Sequence, residues 1–115
     1  MMVDKSLLAG STTMLVLKLL DGQDMYGYQM IETLHERSEH SFDLKAGTLY
    51  PLLHSLEEKE LIRSYEKDEG AARPRRYYHL ERKGQHLLRE KEVEWATFTT
   101  AVDRVLKGGV CLGSA

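Results

Sequence analysis

Leu8, Leu15, Val16, Leu19 and Leu20 recur at near-helical spacing ahead of Asp21-Gly22, which predicts a first helix from about Leu7 to Leu20, stopped by Gly22. Between Tyr26 and Ser38, the positions Gly27, Met30, Ile31 and Leu34 form the i, i+3, i+4, i+7 stripe of a second amphipathic helix, with Gln29, Glu32, Glu36 and Arg37 on its other face. After the linker SEHSFDL the same stripe returns at Leu49, Leu52, Leu53 and Leu56, a third helix. The period then shortens. Ile62 to Lys67 and Arg75 to Leu80 are β-prone runs separated by DEGAARP, whose Gly70 and Pro74 mark a loop, so an antiparallel hairpin is expected. Beyond it Leu88, Trp95 and Val102 fall seven apart, with Phe98 and Val105 completing the seam of a long helix that reaches about Leu106 and is interrupted by Lys91 and Glu92.

The order helix, helix, helix, hairpin, long helix predicts a mainly α fold with a small β-hairpin: a winged helix-turn-helix with a long C-terminal dimerisation helix. We expect residues 1–80 to form the winged helix-turn-helix, 81–107 the dimerisation helix of the same compact unit, and 108–115 a flexible tail. With 115 residues the chain has room for one core, and no second globular unit or internal repeat is expected. No run approaches the roughly 18 apolar residues of a membrane span. The polar Ser11, Thr12, Thr13 and Lys18 make the start read as a helix, not a signal peptide. The single cysteine, Cys111, has no partner for an intramolecular disulfide and lies in a Gly-rich tail, so a cytoplasmic location is expected.

Net charge is −2, but its distribution matters more than its sum. Three basic and seven acidic residues lie between Met1 and Leu44, ten basic and seven acidic between Lys45 and Arg89, and three basic and four acidic after that. Arg73, Arg75 and Arg76 stand in a stretch, Gly70 to Leu80, that contains no acid, which favours an anionic partner over an ordinary solvated hairpin. A helix with an apolar inner stripe and a hydrogen-bonding outer face suits a DNA major groove about 12 Å wide. The third helix has this form: its leucines turn inward, Thr48, Pro51, Ser55 and Glu58 outward, and Tyr50 and His54 lie on the flank. The hairpin would then be the wing, setting the three arginines against phosphates or in the adjacent minor groove.

The segment Gly47-Thr48-Leu49-Tyr50-Pro51-Leu52-Leu53-His54-Ser55-Leu56-Glu57 resembles the GTLYP-centred recognition helix of PadR-family regulators. Tyr26-Gly27-Tyr28, Arg75-Arg76-Tyr77-Tyr78-His79-Leu80 and Gly84 extend the resemblance over about residues 7 to 106. It implies a dimeric repressor-type regulator with one C-terminal helix, often effector-responsive, that binds an inverted-repeat operator in double-stranded DNA. By position it implies that Tyr50 contacts the DNA backbone, that Gly47 and Thr48 bring the helix end close to a phosphate, and that Arg75 and Arg76 hold the wing. Two departures stand out. Lys45 takes the place of a polar cap worth about 1 kcal/mol, and offers a phosphate contact instead. Glu57, Glu58 and Glu60 limit how closely the C-terminal half of the helix approaches DNA. The DNA-facing set is thus Lys45, Gly47, Thr48, Tyr50, Pro51, His54, Arg73, Arg75 and Arg76.

Some residues admit two readings. Tyr50 could pack against the first helix. Pro51 removes an N–H and crowds the carbonyl of Gly47, which an early helical position tolerates best. Tyr77 and Tyr78 alternate across a strand, one to the core and one to the surface. Leu88, Trp95, Phe98, Val102 and Val105 are the expected dimer seam, part of which should pack on the first helix. Trp95 is either packing at that seam or, as in some PadR-like proteins, the wall of a cavity where planar aromatic ligands stack, here with Met14, Leu15 and Phe98. His35, His40, His54, His79 and His86 lack metal-site spacing, and no metal or cofactor is expected. No phosphate loop, nucleophile elbow or paired carboxylate set suggests an enzyme. The competing reading is a winged helix used only for protein–protein contact, which would leave Tyr50 and the arginines without a task.

Overall fold

The computed structural model describes residues 2–70 and 73–108. Five helices and three strands follow in the order α1 (Lys5–Ala9), α2 (Thr12–Leu20), β1 (Met25–Tyr26), α3 (Gly27–Arg37), α4 (Ala46–Glu58), β2 (Ile62–Lys67), β3 (Arg75–Leu80) and α5 (Arg82–Leu106). The single helix expected over Leu7 to Leu20 is two helices. Asp4 caps α1 by accepting the Ser6 N–H at 3.0 Å, and the Thr12 hydroxyl donates to the Leu8 carbonyl at 2.8 Å. Ser11 also donates to that carbonyl, at 3.2 Å, and side chains that take up a backbone acceptor in this way compete with helix continuation. The chain turns at Gly10-Ser11 and restarts.

β2 and β3 pair antiparallel from Ile62↔Leu80 to Lys67↔Arg75, and β1, which the apolar pattern did not suggest, adds to the other edge of β3 through Met25↔Tyr78 and Tyr26↔Tyr77. The sheet order is β1-β3-β2. Because opposed residues share a face, Ile62, Tyr78, Leu80 and Met25 turn into the core, while Tyr65, Tyr77, Lys67 and Arg75 stand on the outer face. The expected split of the tyrosine pair is thus real: Tyr78 is buried and Tyr77 half-buried.

The core joins Val16, Leu17 and Leu20 of α2, Met30 and Leu34 of α3, Leu49, Leu53 and Leu56 of α4, and the inner residues of the sheet. Leu52 is only partly buried against it. α5 starts inside this core and leaves it. Gly84 is buried so tightly that a β carbon there would collide with the Leu61 carbonyl and a methyl of Leu80. The Leu61 carbonyl also accepts the Glu81 N–H at 3.0 Å, so helix and β2 meet backbone to backbone. α2 packs along α5, as anticipated, and Lys18 reaches Glu92 at 3.2 Å while Arg89 reaches Asp21 at 3.6 Å. The two polar residues that break the seam, Lys91 and Glu92, therefore face α2 and its groove. At 1.5 Å per residue the 25 residues of α5 span about 37 Å, against a long axis of 65 Å for the chain. The expected tail, with Cys111, lies outside the described residues from 109 onward.

Candidate nucleic-acid interface

α4 is held by Leu49, Leu53 and Leu56, which leaves Ala46, Gly47, Thr48, Tyr50 and Pro51 exposed along its N-terminal half and His54 just beyond it. Nothing lies near the missing side chain of Gly47, so the backbone there is open to close approach. Lys45 precedes the helix with extended backbone and no side-chain cap, as its chemistry suggested. Its ammonium is not free: it lies 2.7 Å from Asp43, and that contact, above all, holds the Asp43 carboxyl below its usual pKa.

Tyr50 is half-exposed and also packed, against the start of α3. Its ring lies over Gly27, the first residue of α3, where a β carbon would run into the phenol oxygen. The Tyr26-Gly27-Tyr28 stretch thereby acquires a physical reason for its glycine. Pro51 sits sixth in α4, past the first turn where proline costs least, and denies the exposed Gly47 carbonyl its usual helical donor. Of the three acids expected to crowd the far half of the helix, Glu57 is turned away: it accepts the Ser64 hydroxyl at 2.6 Å. Ser64 in turn accepts from Arg76 at 2.9 Å, so α4, β2 and β3 are tied by one chain of hydrogen bonds. Glu58 pairs with His54 at 3.4 Å, both on the surface.

The arginine cluster differs from its linear appearance. Arg73 is exposed, whereas Arg75 and Arg76, being adjacent on a strand, point to opposite faces of the sheet. Arg76 lies on the α4 side. Arg75 lies on the outer face, with its guanidinium 4.5 Å from the centre of the Tyr26 ring. The stretch free of acids in sequence is not free of them in space, because Glu69 reaches back from the loop to within 3.5 Å of Arg75. Glu69 also accepts the Tyr77 hydroxyl at 2.8 Å, which raises the Tyr77 pKa.

A second polar cluster on the outer face was invisible in sequence. Asp24 accepts the Tyr65 hydroxyl at 2.6 Å and pairs with His79 Nδ1 at 2.8 Å, across separations of 41 and 55 residues. Burial pushes the Asp24 pKa up, but the hydrogen bonds from Tyr65 and His79 and the charges of His79 and Arg63 outweigh it, and the net shift is downward. The same hydrogen bond raises the Tyr65 pKa. This cluster braces the sheet against the loop before β1.

On α5 the expected seam divides. Leu88 is completely buried within the chain itself, so it belongs to the monomer core and not to a surface a partner could touch. Trp95, Phe98 and Val105 are exposed, as are the apolar Val93 and Leu106, and Val102 is half-buried. Trp95 and Phe98 stand with ring centres 6.0 Å apart. They share a groove of about 890 Å³ with Met14 and Leu15 of α2, joined by Leu7 and Phe42, so the four residues proposed from sequence do come together. Among the described residues no group of three histidine, cysteine or acidic side chains could hold a metal ion, and no helix is long and apolar enough to cross a membrane.

The helices α2, α3 and α4, a β-hairpin wing closed by a third short strand, and the long α5 together define a winged helix-turn-helix. The profile of the transcriptional regulator PadR-like family matches residues 16–90, and the chain belongs to that family. It is 32% identical over 107 residues to an uncharacterized protein of Lysinibacillus sphaericus, covering 93% of this chain and 98% of that one. Among solved structures, a PadR family transcriptional regulator from Eggerthella lenta superposes with a TM-score of 0.79 at 34% identity, over 90% of this chain and 88% of its own. A PadR family transcription regulator from Clostridium difficile gives 0.74 at 33% identity, over 84% and 98%. Members of the PadR-like family are transcriptional regulators, not enzymes.

Proposed function

We propose that two copies of this chain pair through the outer half of α5 and bind an inverted-repeat operator in double-stranded DNA as a sequence-specific repressor. The observation that carries this reading is the exposed face of α4, whose Leu49, Leu53 and Leu56 are committed to the core while Gly47, Thr48, Tyr50, Pro51 and His54 face outward. A helix offered in this way fits a major groove. The wing stands beside it, tied through Glu57, Ser64 and Arg76, so Arg76 meets phosphates on the α4 side, while Arg73 and Arg75, at the loop end of the hairpin, meet those flanking the same site. Lys45 joins them by exchanging Asp43 for a phosphate. Repression, rather than activation, is what the family resemblance implies.

Dimerisation is supported by the row Trp95, Phe98, Val102 and Val105, an apolar face that water leaves unsatisfied. The apolar groove at Met14, Leu15, Trp95 and Phe98 supports a regulatory role for a planar aromatic effector that binds there and lowers operator affinity by favouring one crossing angle of the paired helices. The chain needs no cofactor for either task and acts in the cytoplasm, where its operator is.

A mobility shift on random duplex at low and moderate salt tests the DNA reading against a winged helix used only for protein contact. Binding that weakens steeply with salt supports it, and no shift at low salt contradicts it. Arg75→Ala and Arg76→Ala reduce the slope of log K against log salt by about one per lost phosphate contact.

A further inference from the structure

Glu69 is the meeting point of three donors carried by two strands. The Tyr77 hydroxyl lies 2.8 Å from one of its oxygens and the Lys67 ammonium 3.7 Å from the same one, while Arg75 Nη1 lies 3.5 Å from the other. Each donor also has a second contact on the sheet. Arg75 rests on the ring of Tyr26 at 4.5 Å, Lys67 lies 5.2 Å from the centre of the Tyr77 ring, and Tyr77 is stacked on Tyr65 at 5.9 Å. Lys67 and Arg75 are also directly opposed in the β2–β3 ladder. The cradle is therefore built by the sheet, and the carboxylate is delivered to it from the loop that follows β2.

We propose that Lys67, Arg75 and Tyr77 form a phosphodiester site on the wing, which Glu69 occupies in the free chain and yields to a DNA phosphate in the complex. A carboxylate and a phosphodiester each present a single negative charge on two oxygens, and a guanidinium, an ammonium and a hydroxyl suit either. An exposed ion pair is weak and screened by salt, so Glu69 is held loosely enough to be exchanged. Its effect is on affinity. Each duplex must displace Glu69 before it gains the site, so Glu69 weakens backbone contact with every duplex alike and leaves discrimination between sequences to α4. The inference rests on the duplex-binding reading of the preceding section.

The test compares full-length Glu69→Gln with the parent chain on random duplex across a salt series, with Glu90→Gln, an exposed change of equal charge on α5, as the control. Glu69→Gln is expected to bind about 3- to 10-fold more tightly than the parent at moderate salt, with a similar slope, because Lys67 and Arg75 meet phosphates in both complexes. The gain is expected to vanish when Lys67→Ala and Arg75→Ala are added. If Glu69→Gln matches Glu90→Gln in affinity, or gains equally without Lys67 and Arg75, the proposal is overturned while duplex binding stands. If the parent binds no duplex, the DNA reading fails separately. The site is then judged by inorganic phosphate added to Glu69→Gln and followed by the Tyr77 ring resonances. A saturating shift that Arg75→Ala abolishes supports an anion site, and no shift overturns it.

Discussion

The two halves of α5 are one continuous helix in two different surroundings. In the inner half Gly84 presses on the Leu61 carbonyl and Leu88 is 0% exposed, whereas in the outer half Trp95 is 47%, Phe98 59% and Val105 80% exposed. Both halves are apolar on one side. The difference teaches that a seven-residue apolar repeat says where a helix wants cover, not whether its own chain or another supplies it. Leu88 and Trp95 are one heptad apart, yet the first completes a fold and the second is left facing solvent.

The largest expected effects lie in the inner half. Gly84→Ala forces a β carbon onto a backbone carbonyl, and Leu88→Ala leaves a cavity in the core; each is expected to cost about 3 kcal/mol. Denaturant unfolding measures both, and the loss should persist at protein concentrations too low for any association. A Leu88→Ala chain as stable as the parent would dissolve the distinction between the halves.

The next effect belongs to the outer half. Trp95→Ala with Phe98→Ala is expected to weaken self-association by at least tenfold, about 1.4 kcal/mol, with little change in the stability of the single chain. Sedimentation equilibrium over a dilution series separates the two quantities. A parent chain that stays monomeric at micromolar concentration would remove the outer half from any role in pairing.

A smaller effect tests how the inner half is anchored. His79 lies 2.8 Å from Asp24 and 3.9 Å from Glu81, the residue that precedes α5, so the Asp24 cluster braces the start of this helix. Asp24→Asn is expected to cost about 1 kcal/mol near pH 7. Because the folded chain lowers the Asp24 pKa, the charged carboxylate stabilises the fold above its ordinary value, and that contribution is lost as the pH falls through the lowered one. The gap between parent and Asp24→Asn therefore narrows in acid. Tyr65 and Tyr77 act in the opposite sense: their raised pKa values favour the neutral phenol, and what this contributes is present below the ordinary tyrosine value and lost as the pH rises through the raised one. Thermal melts from acid to alkaline pH read both limbs.

Much of this arrangement was legible in the residues, for identifiable reasons. The bounds of β2 and β3 follow from six-residue β-prone runs framed by turn residues, and α4 from an uninterrupted leucine stripe. β1 was not legible, since two residues cannot display a period. The break between α1 and α2 was missed because Ser11 and Thr12 fit a helix as readily as they divert the Leu8 carbonyl. The exposed face of α4 could be read from one helical stripe. The partners of Arg75 and Arg76 could not, because strand alternation separates the two and the loop brings Glu69 to only one of them. Asp24, Tyr65 and His79 come from three distant stretches, and only the β1–β3 and β2–β3 pairing unites them.

The most direct test of the whole account is the footprint of the intact chain on fragments selected from genomic DNA, read together with the number of chains bound. A two-fold pair joined by the outer half of α5 presents its two α4 helices in opposite orientations. The expected result is two chains on an inverted repeat whose half-sites lie about 10 bp apart, or a multiple of that. Selected fragments with no shared motif, or a single half-site filled by one chain, would contradict it.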